Sequence, residues 1–191
     1  TGGREQIASG LLAEFGGSHR IAVDTSSGVQ IRTSRVVDVS SERAWQVLGE
    51  QWGQVDEWSS LVMHSEMSGG TSGSPDRATR ACDIPGFPPL QERMLRFDES
   101  DLELSYQVVQ GAPPFAPRVT NSWDIRPIGP ERVVVSSVID ISIAPQTPPP
   151  AVGMVAGQFA QVMDLTFDEY VHFAETGRPH PREVMMRSRQ P

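Results

Sequence analysis

The chain has 191 residues, enough for one domain with a sizeable core, and nothing in its length demands two. A formal charge of −8 and a pI near 5.0 argue against a general nucleic-acid or anionic-membrane surface, which works through clustered Lys and Arg; Lys is absent and all sixteen positive charges are Arg. The single cysteine, Cys82, excludes an intramolecular disulfide, and no run approaches the ~20 apolar residues of a membrane span.

Taken in order, Glu5 to Phe15 places Ile7, Leu11, Leu12 and Phe15 on one side, which predicts a short helix ended by Gly16 and Gly17. His19 to Gly28 is polar and turn-rich and reads as a loosely attached arm, so residues 1–28 are expected to be an N-terminal extension. Val29 to Val39 alternates Val29, Ile31, Thr33, Arg35, Val37 and Val39 against more polar neighbours and predicts the first strand. Ser40 or Ser41 then caps a helix whose apolar face is Ala44, Trp45, Val47 and Leu48. Trp52, Val55 and Trp58 anchor the irregular stretch that follows.

Six further strands are expected at Leu61–Met67, Ala78–Ile84, Leu90–Phe97, Leu102–Val109, Val119–Ile125 and Arg132–Ile143, separated by Gly, Pro, Asp, Glu and Ser turns at hairpin spacing. After them Pro148 to Pro150 stop any strand, and Val152, Val155, Phe159, Val162, Met163, Thr166, Tyr170 and Phe173 recur at helical spacing until Gly177. Strands followed by one long amphipathic helix predict an α+β domain over residues 29–177. Its seven-stranded, curved antiparallel sheet wraps a long C-terminal helix and leaves an internal hydrophobic ligand cavity, and residues 178–191 form a tail.

Four stretches carry a resemblance: VDVSSERAWQVLGEQWGQVDEW, RACDIPGFPPLQERM with Asp98 in the next turn, LSYQVVQGAPPF, and the closing helix. Together they resemble the START-like helix-grip superfamily and, within it, the polyketide cyclase/dehydrase group. The resemblance implies a helix-grip fold, a hydrophobic, polyketide-like small molecule as ligand or substrate, and no cofactor. The plant hormone receptors of the same superfamily share a Gly-hydrophobic-Pro loop, echoed by Gly86, Phe87 and Pro88, and a Glu-Arg-hydrophobic strand, echoed by Glu92, Arg93 and Met94. Where those receptors hold a carboxylate with Lys, this sequence has Ser59.

The resemblance points Glu92 into the cavity, where an apolar setting suits a carboxylate to proton transfer; alternatively Glu92 pairs with Arg80 on the adjacent strand. Tyr106 shares a face with Leu102, Leu104 and Val108 and is a candidate to polarise a substrate carbonyl, or a core tyrosine with one satisfied bond. In the sixth strand hydrophobicity favours an inward face of Val119, Asn121, Trp123 and Ile125, whereas a gapless match to the receptors favours Arg118 and Thr120. An inward Arg118 would bind an anionic oxygen. Phe87 and Phe115 sit in the Pro-rich loops GFPP and APPFAP, as a gate or as ordinary hairpin plugs. Leu61, Met94, Val108, Phe159, Met163 and Phe167 complete the expected lining.

The four histidines have no second ligand at the spacing of a metal motif, so no metal is expected. Two function classes follow: a cofactor-independent cyclase/dehydrase-type tailoring enzyme in natural-product biosynthesis, and a non-catalytic carrier or sensor of a hydrophobic molecule. A third, a homodimer through the N-terminal helix, has less in its favour. No signal or membrane segment is read, so a cytoplasmic protein is expected.

Overall fold

The computed structural model describes residues 18–24, 28–70 and 75–188. The expected helix over residues 5–15 lies outside them. Eight strands form one antiparallel sheet among the described residues, in the order β1-β2-β8-β7-β6-β5-β4-β3. The seven expected strands are all present: β2 Gly28–Val37, β3 His64–Ser68, β4 Thr79–Asp83, β5 Leu90–Asp98, β6 Glu103–Gln110, β7 Arg118–Gly129 and β8 Arg132–Ser142.

The additional strand is β1, Ser18–Asp24, which falls in the stretch expected to be a loose arm. It pairs with β2 from Ser18↔Ser34 to Asp24↔Gly28, so the backbone groups on the outer edge of β2 find partners in the chain that precedes it. Gly28 turns this hairpin at φ +153°, and a Cβ there would lie 2.2 Å from the Ile141 carbonyl oxygen, so only glycine fits. Strand β3 starts later than expected. Leu61 and Val62 still belong to the turn after the Trp52–Glu57 3-10 helix, with Val62 N–H bonded to the Ser59 carbonyl at 3.3 Å.

Curvature has an identifiable source. Register breaks at Met94/Arg96, Gln91/Glu92 and Pro127/Gly129 leave Leu95, Val109 and Ile128 as extra residues in bulges, and all three are exposed apolar side chains. A bulge kinks its strand and increases the local twist.

Helix α1, Ser41–Trp45, is capped by the Ser40 hydroxyl, which accepts from Arg43 N–H at 3.3 Å, and it runs on through a wider turn to Glu50. The closing helix α2, Pro149–Thr176, ends at Gly177 with φ +66°, whose N–H bonds the Phe173 carbonyl at 2.8 Å. Arg43 satisfies the last carbonyls, reaching Ala174 at 3.1 Å and Phe173 at 3.3 Å, which also places a cation at the negative end of the helix.

The buried face of α2 is turned from the expected stripe. Ala156, Ala160, Ala174 and Phe167 lie inside with Val152, Val155, Met163 and Tyr170, whereas Val162 is exposed and Thr166 returns its hydroxyl to the Val162 carbonyl at 2.8 Å. Alanines carry little weight in a hydrophobic periodicity, yet they let the helix axis approach the sheet. Residues 178–191, expected to be a tail, contain helix α3, Pro181–Ser188. It is tied down by Arg182 on the fully buried Glu169 at 3.2 Å and by Arg187 on the Asp56 carbonyl. Glu169 in turn accepts from the Ser60 amide at 2.9 Å and from its hydroxyl.

Candidate functional site

Strand register lays the concave face out as rows of side chains. One row runs Arg80–Glu92–Val108, and the next Met94–Tyr106–Asn121–Ile139. A third runs Leu104–Trp123–Ser137. Most of this face is apolar and buried, but Arg80, Glu92, Asn121 and Ser137 are buried polar groups within it. A buried polar group needs partners, and these supply one another.

Arg80 donates to Glu92 Oε2 through Nε at 2.8 Å and again through Nη2, while its Nη1 donates to the Trp52 carbonyl. The guanidinium lies 4.3 Å from the Trp52 ring centre and 5.3 Å from that of Tyr106. Burial works against the Arg80 charge, but Glu92, Cys82 and Tyr106 beside it hold its pKa above the ordinary value. Both bonds to Glu92 fall on one oxygen. Among the described residues none of the hydrogen bonds reaches Glu92 Oε1.

Tyr106 is the centre of a second chain. Ser137 donates to Asn121 Oδ1 at 2.6 Å, and Asn121 Nδ2 donates to the Tyr106 hydroxyl oxygen at 3.0 Å. That bond uses the phenol as acceptor, so its own proton has no acceptor among the described residues. Burial, and then the Glu92 charge, push the Tyr106 phenol up to about 12, against a smaller opposite pull from Arg80. At neutral pH it is a donor.

Accessibility changes along the rows. Leu104 is fully buried, while Tyr106 and Val108 further along β6 keep accessible surface. On α2 Phe167 and Met163 are buried and Phe159 is half-buried. Leu90, at the start of β5, and Val108, near the end of β6, border the loops that follow β4 and β6. Those loops are in contact: Gly111 has φ +84°, and a Cβ on it would meet the Pro89 carbonyl oxygen at 2.6 Å.

Several expectations about single residues are corrected. Arg118 begins β7 on the outer face and is exposed, so it does not enter the interior; the Trp123 face, with Asn121 and Val119, is the inner one. The large apolar residues of β7 outweigh one arginine because burying an unpaired charge costs far more than exposing it. Phe87 is 69% exposed and Phe115 38% exposed, so neither is packed into the interior as the expected lining required. Glu92 is buried on the inner face and pairs with Arg80, which is the second of the two alternatives read for it. Met94, Val108, Asn121, Trp123, Met163 and Phe167 lie on the inner side, and Leu61 is half-buried beyond the rows.

Ser137 was not singled out from sequence, while Trp52 was read only as a loop anchor and Cys82 only as a lone cysteine; the Cys82 thiol is buried 3.9 Å from Glu92 Oε2. Ser137 interrupts the buried alternation of Val133, Val135, Ile139 and Ile141, and such a polar residue on an apolar face was the available signal.

These buried acids have a consequence for stability. Burial pushes the Cys82 thiol from 9.0 to about 12 and Tyr106 from 10.0 to about 12, and raises the Tyr170 phenol as well. The unfolded chain therefore loses these protons first, so stability is fully present below about pH 9 and falls as pH rises toward 12. Urea denaturation at pH 8, 9.5 and 10.5 is expected to show a steepening loss, and a flat profile would mean that these groups are hydrated.

A family profile described as "Polyketide cyclase / dehydrase and lipid transport" matches residues 28–169. No curated protein sequence matches the chain. Among solved structures, truncated norcoclaurine synthase from Thalictrum flavum is similar with a TM-score of 0.61 at 13% identity, over 86% of this chain and 99% of that one. A START superfamily protein from Mycobacterium smegmatis is similar with a TM-score of 0.56 at 16% identity, over 75% and 97%. A structure titled Ara h 8.0201 gives 0.57 at 11%, over 74% and 96%. At these identities the structures speak for the fold, a START-like helix grip. With three-quarters of its length under one profile and the grip completed by α2, the chain belongs to the polyketide cyclase/dehydrase and lipid transport family.

Proposed function

We propose that the protein is a cofactor-independent tailoring enzyme of the cyclase/dehydrase type, acting on an apolar, oxygen-bearing small molecule. The observation that carries this reading is the unspent proton of Tyr106 on the row next to the unspent Oε1 of Glu92. A substrate carbonyl that accepts from the Tyr106 hydroxyl becomes polarised, and its α-proton becomes acidic enough for a carboxylate to remove. Asn121, held by Ser137, fixes the phenol, and Arg80 near its ring favours the charge that develops as the phenol donates. The aromatic walls fold a flexible substrate so that its reacting carbons meet, which supplies the entropic part of a ring closure.

The carrier reading has one observation in its favour: Glu92 is already engaged in an ion pair with Arg80. Native mass spectrometry of the freshly purified protein, set against its denatured mass, identifies any compound that copurifies. Incubation with that compound or its open-chain precursor is expected to give loss of water or an isomer. Tyr106→Phe is expected to slow this by roughly a hundredfold while binding changes by less than tenfold. A tightly held compound recovered unchanged, with no effect of Tyr106→Phe beyond affinity, would establish a carrier.

A further inference from the structure

The two edges of the sheet are finished differently. At one, the Trp52–Glu57 3-10 helix lies against β3, where the Ser65 hydroxyl bonds the Gly53 carbonyl at 2.7 Å and Asp56 at 2.5 Å. At the other, β1 is the last strand, and among the described residues no segment pairs with its outer side. An antiparallel neighbour uses the amides and carbonyls of every second residue, so the remaining backbone groups of Ser18–Asp24 point away from β2. Edge strands are commonly blunted by proline, lysine, a bulge or extreme shortness. Strand β1 runs 7 residues in unbroken register with β2, and its sequence SHRIAVD has no proline and no lysine.

Register fixes what a further strand would meet. Ile21 is paired with Ile31 and Val23 with Val29, both buried in the core, so the odd positions of β1 belong to the inner face and Arg20, Ala22 and Asp24 to the outer one. There Arg20 stands opposite Arg32, a like-charge position pair of the kind that destabilises a sheet. The same row continues through Val138, Ser122 and Ser105 to Arg96 and holds no carboxylate. Its one open end is beside Arg20.

A strand that extends the sheet must keep inner positions beside inner positions, so it pairs odd with odd and even with even. Among the registers in which β1 meets itself, the one centred on Ala22 sets Arg20 opposite Asp24 twice and Ile21 opposite Val23 twice. Centring on Ile21 sets Arg20 against Ala22, and centring on Arg20 sets it against a second arginine. Helix α2 is tied one strand in from this edge, by Arg35 on Asp164 at 2.6 Å.

We propose that this edge is a dimer interface, in which β1 pairs antiparallel with β1 of a second copy about a two-fold axis at Ala22 and joins two eight-stranded sheets into one. The partner's Asp24 then faces Arg20, and Asp24 faces the partner's Arg20, so the carboxylate that the row lacks arrives from the other copy. The pairing is independent of what the concave face binds. One strand pair is a small contact, in the class of transient interfaces that bury less than about 1,200 Å² in total, so the dimer is weak and governed by concentration.

Sedimentation velocity of the full chain from about 10 to about 300 µM is expected to show a mass that rises toward twice the monomer. Arg20→Asp sets a carboxylate against the partner's Asp24, and Asp24→Arg sets a guanidinium against the partner's Arg20. Each is expected to raise the dimer Kd at least about tenfold. The double variant Arg20→Asp with Asp24→Arg restores both opposite-charge pairs and is expected to return Kd to within about threefold of the parent. Arg20→Asp also turns the like-charge position pair with Arg32 into an opposite one, so its loss of dimer does not come from an undone β1. On the unaltered chain, hydrogen exchange at alternate amides of residues 18–24 is expected to slow as concentration rises. A monomer throughout, with exchange independent of concentration, would overturn the proposal and leave the edge to residues before Ser18 or to another protein. A dimer indifferent to both single changes, or one that the double variant fails to restore, would overturn the pairing about Ala22.

Discussion

Replacing Arg80 with methionine is expected to lower the unfolding free energy by about 3–5 kcal/mol, the range for breaking a buried ion pair from one side. The methionine fills much of the volume, but Glu92 Oε2 and the Trp52 carbonyl lose their donors in a place that water reaches poorly. The loss is mainly the cost of the charge left behind rather than the worth of the pair. The double variant Arg80→Met with Glu92→Leu is therefore expected to recover most of it. Urea denaturation followed by tryptophan fluorescence measures both. A single variant within about 1 kcal/mol of the parent would show that water already solvates the pair, and the acid-base reading of Glu92 would lose its low-dielectric setting.

Phe167→Ala is expected to cost a further distinct ~3–5 kcal/mol, through a cavity rather than a charge. Phe167 is fully buried, stacks on Trp123 at 4.9 Å, and carries Arg35 over its ring at 5.6 Å. Arg35 is itself anchored to Asp164 at 2.6 Å, so the ring is enclosed by sheet, helix and a tethered side chain and the site cannot collapse. Phe167→Leu keeps most of the volume and is expected to cost roughly half as much or less. Near-UV circular dichroism should change in the alanine variant, because Trp123 loses its stacking partner. An alanine variant with unchanged stability and an unchanged spectrum would place Phe167 outside the core.

The two experiments separate two kinds of legibility. Phe167 was expected at the ligand because it falls near the helical stripe, and periodicity alone brings such a residue inward. The buried pair of Arg80 and Glu92 was one of two alternatives, since adjacent strands with suitable charges leave their partners open until register is known. Register is what placed Glu92 opposite Arg80 on one side and Val108 on the other.

Arg118 and Trp123 show the limit most clearly. They lie five positions apart on β7, so one of them must point inward and the other outward, and the choice follows from the whole sheet's energy rather than from the strand's own pattern. The tilt of α2 is similar. Ala156 and Ala160 are weak signals in a sequence, and their value appears only when a sheet approaches close enough to need small side chains.

What the amino-acid sequence determined by itself was the order of the elements, the curved sheet closed by a long helix, the inward-facing tyrosine and carboxylate as candidates, and the family resemblance. These rest on short-range alternation, turn chemistry and capping, which act within a few residues. The tertiary structure alone decided that residues 18–24 join the sheet, that α3 docks on Glu169, that Arg118 stays outside, and that one proton on Tyr106 is left without an acceptor among the described residues. Those outcomes depend on which donors and acceptors have already been satisfied by segments distant in the chain, and that accounting closes only when every strand has its register.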